Sequence, residues 1–366
     1  MLNPDQKLNP KLFSPDGTAN PDVEQVPIRA GFGEGLLAAA EADMNVVGLC
    51  ADLTDSTQMT AFKARFPTRF LEMGVAEQNM ATVASGVAAM GKIPFISSYA
   101  MFSPGRNWEQ IRTTIAYNNQ PVKIAGSHTG VSVGPDGGSH QALEDIAITR
   151  VIPRMIVLSP CDAIEARKAT IAAALTKTPV YIRLAREKTP IITTALTPFE
   201  IGKAQVYFQP SQSSQLSENS GGSGKDRKSG KGGDKGSRTS VKADVGIIAT
   251  GALVHKALVA AQDLEKEGIA VKVINLATIK PLDEEALWTL AQETGAIVTV
   301  EEHQITGGMG SAVAECLAQH RPVPMEFIGV RDLFGQSGKP DELIELYGMG
   351  VSHIKAAVKK VLLRKK

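Results

Sequence analysis

KIPFISSYAMFSPGRNWEQIRTTIAYNNQPVKIAG, residues 92–126, reads as one strand–helix–strand unit. Residues 92–97 and 121–126 are short apolar or β-branched runs, and residues 107–117 between them read as a helix. Two apolar strands joined by a helical crossover imply parallel pairing in a sheet covered on both faces. The same alternation continues in both directions. Residues 45–51, 154–158 and 179–183 read as strands, and 79–90 and 162–175 as helices, the latter with Asp162 near its N-cap. From residue 244 the pattern restarts: strands at 244–250, 270–275, 296–300 and 324–330 alternate with helices at 255–267, 283–293 and 310–320. A basic amphipathic helix begins at Ser352. The fold class expected is therefore α/β, with two doubly wound domains. Ligands in such folds bind where strands end, so the loops there carry the search.

Between the two patterns, residues 210–240 hold nine Ser and seven Gly among 31 positions, with Leu216 the one aliphatic side chain. Such a stretch buries too little apolar surface to offset its ordering entropy and reads as a disordered linker. The expected division is an N-terminal extension at 1–25, a first domain at 26–209, the linker at 210–240 and a second domain at 241–366. The 366 residues carry 39 basic and 38 acidic side chains, a net charge of +1. The linker contributes +3 of it, leaving −2 on the folded body. This balance argues against nucleic-acid binding, which needs a clustered basic surface. No apolar run approaches the roughly 20 residues of a membrane span, and the polar, Pro-broken start does not read as a signal peptide. Cys50, Cys161 and Cys316 are too few and too scattered for a disulfide framework or a metal site, so a reducing cytoplasm is expected.

Four local features invite a chemical reading. Gly31-Phe32-Gly33-Glu34-Gly35 lacks both the spacing and the preceding strand of a dinucleotide loop. Gly307-Gly308-Met309-Gly310 follows a strand and opens a helix, where amides could hold an anion, although close helix–sheet packing explains it more simply. Ser127-His128 and Asp136-Gly137-Gly138-Ser139-His140 place two histidines and an aspartate in a Gly-rich loop after a strand, either a ligand loop or an ordinary polar turn. Glu77, at the mouth of a very apolar helix, is either an exposed helix-start charge or a buried carboxylate able to share a proton with a ligand.

These features fall into the order of one family. Gly74-Val75-Ala76-Glu77-Gln78-Asn79-Met80 resembles part of the pyrimidine-binding domain of transketolase. Tyr99-Ala100-Met101-Phe102, Glu109-Gln110-Ile111-Arg112, residues 126–131 and residues 134–141 follow in the family's order. Leu158-Ser159-Pro160-Cys161-Asp162-Ala163, Tyr181 to Arg186 and Thr278-Ile279-Lys280-Pro281-Leu282-Asp283 complete it. The resemblance covers residues 26–365 outside the linker.

It implies a thiamine diphosphate enzyme that moves a two-carbon ketol unit between sugar phosphates. Glu77 sits where the family's glutamate contacts N1′ of the cofactor's aminopyrimidine, and proton sharing there activates the cofactor. Phe102 matches the aromatic that stacks on the pyrimidine, Tyr99 lines the same pocket, and Asp52 corresponds to an aspartate near the cofactor. Arg29, Ser56, His128 and Arg186 resemble positions that grip the terminal phosphate. His140 matches a residue near the donor's C1 hydroxyl, and Asp136 one that reads the acceptor's 2-hydroxyl. The family's Gly-Asp-Gly motif, which with a following Asn binds the diphosphate and Mg²⁺, is missing from this chain. The resemblance therefore implies the C-terminal half of a split transketolase. No metal ligand is expected here: the diphosphate and Mg²⁺ would be held by an N-terminal partner subunit, in a heterotetramer of two of each chain. The β subunit of a 2-oxo acid dehydrogenase shares the layout but has no phosphate to hold. A deoxyxylulose-phosphate synthase relative fits the context of Ser127-His128 and Ala185-Arg186 less well. From another class, a non-catalytic structural subunit would not need Glu77 or the loop histidines.

Overall fold

The computed structural model describes residues 1–211 and 242–365. Its larger sheet has seven strands, in the order Thr278–Lys280, Ile156–Leu158, Val180–Leu184, Lys123–Ser127, Ile93–Tyr99, Val46–Cys50 and Phe70–Glu72. The second sheet has five: Met325–Val330, Ile297–Gln304, Val245–Ala249, Val271–Asn275 and Gln205–Phe208. Every neighbouring pair is parallel except at one edge of each sheet. The continuous apolar runs have their expected cause: all residues of Val46–Cys50, Lys123–Ser127, Val180–Leu184 and Val245–Ala249 are buried. The tether expected over 210–240 lies, apart from residues 210 and 211, outside the described residues. Among the described residues no helix is long and apolar enough to cross a membrane, and the three cysteines are free and buried.

The two antiparallel edges exchange strands between the domains. Thr278–Lys280, from the second half of the chain, lies on Ile156–Leu158 of the first sheet. Gln205–Phe208, from the first half, lies on Val271–Asn275 of the second. One apolar cluster accordingly contains Ile124 and Tyr181 together with Ile248, Ile274 and Leu290. The N-terminal extension is equally committed. Leu8, Leu12 and Val23 enter the core built on Val245, Leu258 and Val358, and the Asn3 amide donates to the carbonyl of Val206 at 2.8 Å.

The first glycine string is a packing device, and the second both packs closely and holds a carboxylate of this chain. The helix Ile28–Ala42 lies so close to Ala163–Ala174 that a Cβ on Gly31 would stand 1.8 Å from the carbonyl oxygen of Ala163. At 307–310 the helix Met309–His320 receives the chain's own anion: the Glu301 carboxylate accepts from the amides of Met309 (2.6 Å) and Gly310 (2.8 Å). Burial pushes that carboxyl up to about 7. The segment at 107–117 is not one regular helix. Trp108–Gln110 is a single α-turn that widens into a π-helix at Ile111–Ala116. There the Thr113 and Thr114 hydroxyls take the carbonyls of Glu109 and Gln110, at 2.9 and 2.6 Å. Side chains that bond back to the preceding turn compete with the regular ladder.

Candidate active site

The carboxyl ends of four adjacent strands converge on the expected residues. Beyond Val46–Cys50 stand Asp52 and Ser56; beyond Ile93–Tyr99, Phe102; beyond Lys123–Ser127, His128; and beyond Val180–Leu184, Arg186. Two of these residues, Asp52 and His128, have φ of 58° and 57°, a left-handed conformation that is uncommon outside glycine but that Asp and His adopt more readily than most.

Glu77 is the first residue of the helix Glu77–Ala89, and its side chain is only 1% exposed. It is thus the buried alternative, not a solvated helix-start charge. Ser98 donates to its Oε1 at 3.3 Å, Arg106 to its Oε2 at 2.7 Å, and the Asn107 amide to its main-chain carbonyl at 3.1 Å. A buried carboxylate needs such compensation, because burying it unpaired costs several kcal/mol, on the order of 3–5. The Arg106 guanidinium also lies over the Phe102 ring, 4.7 Å from its centroid. From Phe102 an aromatic wall continues. Tyr99 stacks on it at 6.1 Å and on His128 at 3.7 Å, and His140 meets Phe102 edge-on at 5.5 Å.

The phosphate set also comes together. Arg29 donates to the carbonyl of Ser56 and, at 3.4 Å, to that of Arg186. Arg186 in turn bonds the carbonyl of Val133 at 2.6 Å. Burial first, and then the charge of Arg186, hold the Arg29 guanidinium below its ordinary value. Burial, with Arg29, Arg186 and His140 nearby, pushes His128 down to about 3, so its imidazole is neutral. Ser127 Oγ, 2.8 Å from its Nδ1, orients the ring. The two guanidiniums thus share one neighbourhood, with Arg186 also paired to the Glu187 carboxylate at 3.4 Å. Asp52 and Asp136 are exposed, and among the described residues their carboxylates make no hydrogen bond to this group.

The second domain buttresses the loop that bears Asp136 and His140. Gln141 donates to the carbonyls of Val131 and Gln336, both at 3.0 Å, and the Glu302 carboxylate accepts from the Ser132 amide at 2.6 Å. Behind the loop, Asp145 pairs with Arg183 at 2.8 Å and accepts from the Tyr181 hydroxyl at 2.7 Å. Arg183 reaches across to the carbonyl of Glu302 at 2.7 Å. His303 Nε2 accepts from the Ile146 amide at 3.2 Å, and its Nδ1 faces the carbonyl of Gln304 at 2.7 Å.

Sequence reasoning missed this lock, along with Ser98, Arg106 and Asn107. The bonds of the lock that cross between the domains join residues about 120–195 positions apart, which no local pattern signals. Arg106 had a faint signal, a lone charge between two motifs that carried the resemblance.

Burial pushes His303 down to about 4 from its ordinary 6.5. The unfolded chain therefore binds more protons between those values. The stabilisation is complete above pH 6.5 and is lost as pH falls through 4, by about 3 kcal/mol. His255, also near 4, acts with the same sign. Urea unfolding at pH 6.5 and pH 4 should show a markedly smaller loss for His303→Gln than for the wild type. Equal losses would remove His303 from the acid response.

Comparison with known proteins agrees with the geometry. The family model for the transketolase pyrimidine-binding domain matches residues 24–191, and that for the transketolase C-terminal domain matches residues 234–354. A Methanocaldococcus jannaschii protein named as a transketolase C-terminal section is 42% identical over 88% of this chain and 92% of its own length. A Clostridium protein named 6-deoxy-6-sulfo-D-fructose transketolase subunit SqwH is 38% identical over 94% of this chain and 97% of its own. A solved structure described as a split-gene transketolase, inactive β4 tetramer, superposes with a TM-score of 0.79 at 40% identity, over 93% of this chain and all of that one. Two matched domains, their residues gathered at the ends of the parallel strands, and near full-length relatives lead to one conclusion: the chain belongs to the transketolase family and carries its pyrimidine-binding and C-terminal domains.

Proposed function

We propose that this chain is the C-terminal subunit of a split, thiamine diphosphate-dependent transketolase, which transfers a two-carbon ketol unit between a phosphorylated ketose and a phosphorylated aldose. The observation that carries the reading is one continuous wall: the buried Glu77 carboxylate, the rings of Phe102, Tyr99 and His128, and the paired Arg29 and Arg186 guanidiniums. A carboxylate beside a flat aromatic fits an aminopyrimidine, and the arginine pair fits the far, anionic end of a sugar phosphate.

When bound, thiamine diphosphate stabilises the carbanion that two-carbon transfer requires. Glu77 holds a proton against the pyrimidine nitrogen, in a pocket from which burial excludes water. Phe102 and Tyr99 fix the ring plane. Arg29 and Arg186 bind the terminal anion by charge-assisted hydrogen bonds, joined by Ser56, whose main-chain carbonyl Arg29 holds. His128, kept neutral by burial and then by these arginines, adds a hydrogen bond without a third charge. His140, packed edge-on to Phe102, meets the donor's C1 hydroxyl. Asp136 on the same loop reads the acceptor's 2-hydroxyl, and Asp52 lies toward the cofactor.

Mg²⁺ and the diphosphate are assigned to an N-terminal partner subunit, two of each chain forming the working assembly in the cytoplasm. A relative described as an inactive tetramer of β chains supports the need for that second chain. The 2-oxo acid dehydrogenase alternative leaves the arginine pair without a role.

One observation favours a second substrate class. The Clostridium relative is named for a 6-deoxy-6-sulfo sugar, and two guanidiniums accept a sulfonate as they do a phosphate. The test is reconstitution with a diphosphate-binding chain, thiamine diphosphate and Mg²⁺. Xylulose 5-phosphate and 6-deoxy-6-sulfofructose are then offered separately as donors in a coupled assay. Turnover of the phosphate is expected; turnover of the sulfonate alone would reassign the substrate; no turnover of either in a verified complex would end the enzyme reading.

A further inference from the structure

Arg106 makes both contacts that the proposed cofactor ring needs. Its guanidinium donates into the Glu77 carboxylate at 2.7 Å and lies over the face of Phe102 at 4.7 Å. A guanidinium is planar and delocalised, presents N–H groups in its own plane, and stacks on aromatic faces. An aminopyrimidine likewise offers an in-plane nitrogen edge and a flat face. Either group satisfies Glu77 and Phe102 alone, and the same Oε2 and the same ring face cannot serve both fully.

The two partners of this ion pair are held very differently. The Glu77 side chain is 1% exposed, whereas that of Arg106 is 45% exposed. Arg106 springs from a tight turn after the strand Ile93–Tyr99, with its amide on the carbonyl of Phe102 at 3.1 Å and that of Gly105 on Ala100 at 3.0 Å. The turn is fixed by its main chain while the side chain is free to leave. Withdrawing the guanidinium therefore disturbs no packed core. Glu77 has no other charged partner among the described residues; the Ser98 hydroxyl at 3.3 Å is its remaining side-chain contact.

We infer that Arg106 is a displaceable stand-in for the cofactor's aminopyrimidine: it neutralises Glu77 and covers Phe102 in the cofactor-free chain, and swings out when the ring enters. The inference rests on the functional reading above and adds a competition to it. A binding-competent state populated only in part weakens the apparent affinity by that fraction. Arg106 thus stabilises the empty subunit and at the same time opposes loading.

Two measurements test it. In the isolated full chain without cofactor, Arg106→Ala should lower the melting temperature, and the loss should disappear in a Glu77→Gln background, where no buried charge awaits a partner. In the complex with its partner and Mg²⁺, thiamine diphosphate titrated by intrinsic fluorescence should bind Arg106→Ala about tenfold more tightly than wild type, the shift expected if the open state is about one-tenth populated. Arg106→Lys, which keeps the charge but not the plane, should fall between them. Weaker or unchanged binding by Arg106→Ala, in a wild-type complex that does bind cofactor, overturns the stand-in and leaves the functional reading intact. A wild-type complex that binds no thiamine diphosphate overturns that reading, and the stand-in with it.

Discussion

Glu77→Gln, assembled with its partner and supplied with cofactor and Mg²⁺, is expected to lose about 10³-fold in kcat, in line with removal of a positioned acid–base group. The substitution suits the test because it keeps the shape of the side chain. Its amide oxygen still accepts from Arg106 or Ser98, so the entrance of the helix Glu77–Ala89 stays packed. What disappears is the group able to hold and return a proton. The charge left without its partner is that of Arg106, whose side chain is 45% exposed and can turn to solvent, so no uncompensated charge stays buried and assembly by size-exclusion chromatography should match the wild type. An unimpaired kcat in such an assembly would remove Glu77 from the chemistry. A failure to assemble would instead assign it to the interface.

The second large effect is expected at the other end of the wall. Arg186→Ala should raise KM for the phosphorylated donor by about 30- to 100-fold with kcat changed far less, as befits a charge-assisted bond of roughly 2–3 kcal/mol made equally in ground and transition states. Arg186 is half-buried and already bonded to the carbonyl of Val133, so its head group is positioned before a ligand arrives. The loss should shrink for a donor with a neutral terminus, because no anion is then left unmatched. An unchanged KM would take Arg186 out of the anion site. A fall in kcat with constant KM would make it part of the reacting centre.

Legibility in the sequence followed the range of the interactions involved. The central strands announced themselves because strands buried on both faces are apolar without interruption, as Val46–Cys50 and Val245–Ala249 are. The N-cap at Asp162 was readable for the same local reason, and its side chain does accept from the Glu165 amide at 2.8 Å. The edge strands were not readable. Thr278–Lys280 is three residues long, and nothing in it says that its partner lies some 120 residues earlier. At the site, the resemblance supplied the residues, and the fold gathered Arg29, His128 and Arg186, which lie far apart in sequence. The pairing of Glu77 with Arg106 was hidden, because an exposed arginine on a turn looks like any solvated charge until its reach across 29 positions is seen.

The exchange of edge strands bears on how this gene can be cut. If the chain were broken anywhere between residues 211 and 242, the first piece would carry away Gln205–Phe208, the outer strand of the second sheet. The second piece would carry away Thr278–Lys280, the outer strand of the first. Each fragment would then present a bare sheet edge that its counterpart alone covers. The two domains are thus a single heritable unit whatever joins them. A lineage could not divide these two domains between two genes without asking two fragments to find each other strand by strand.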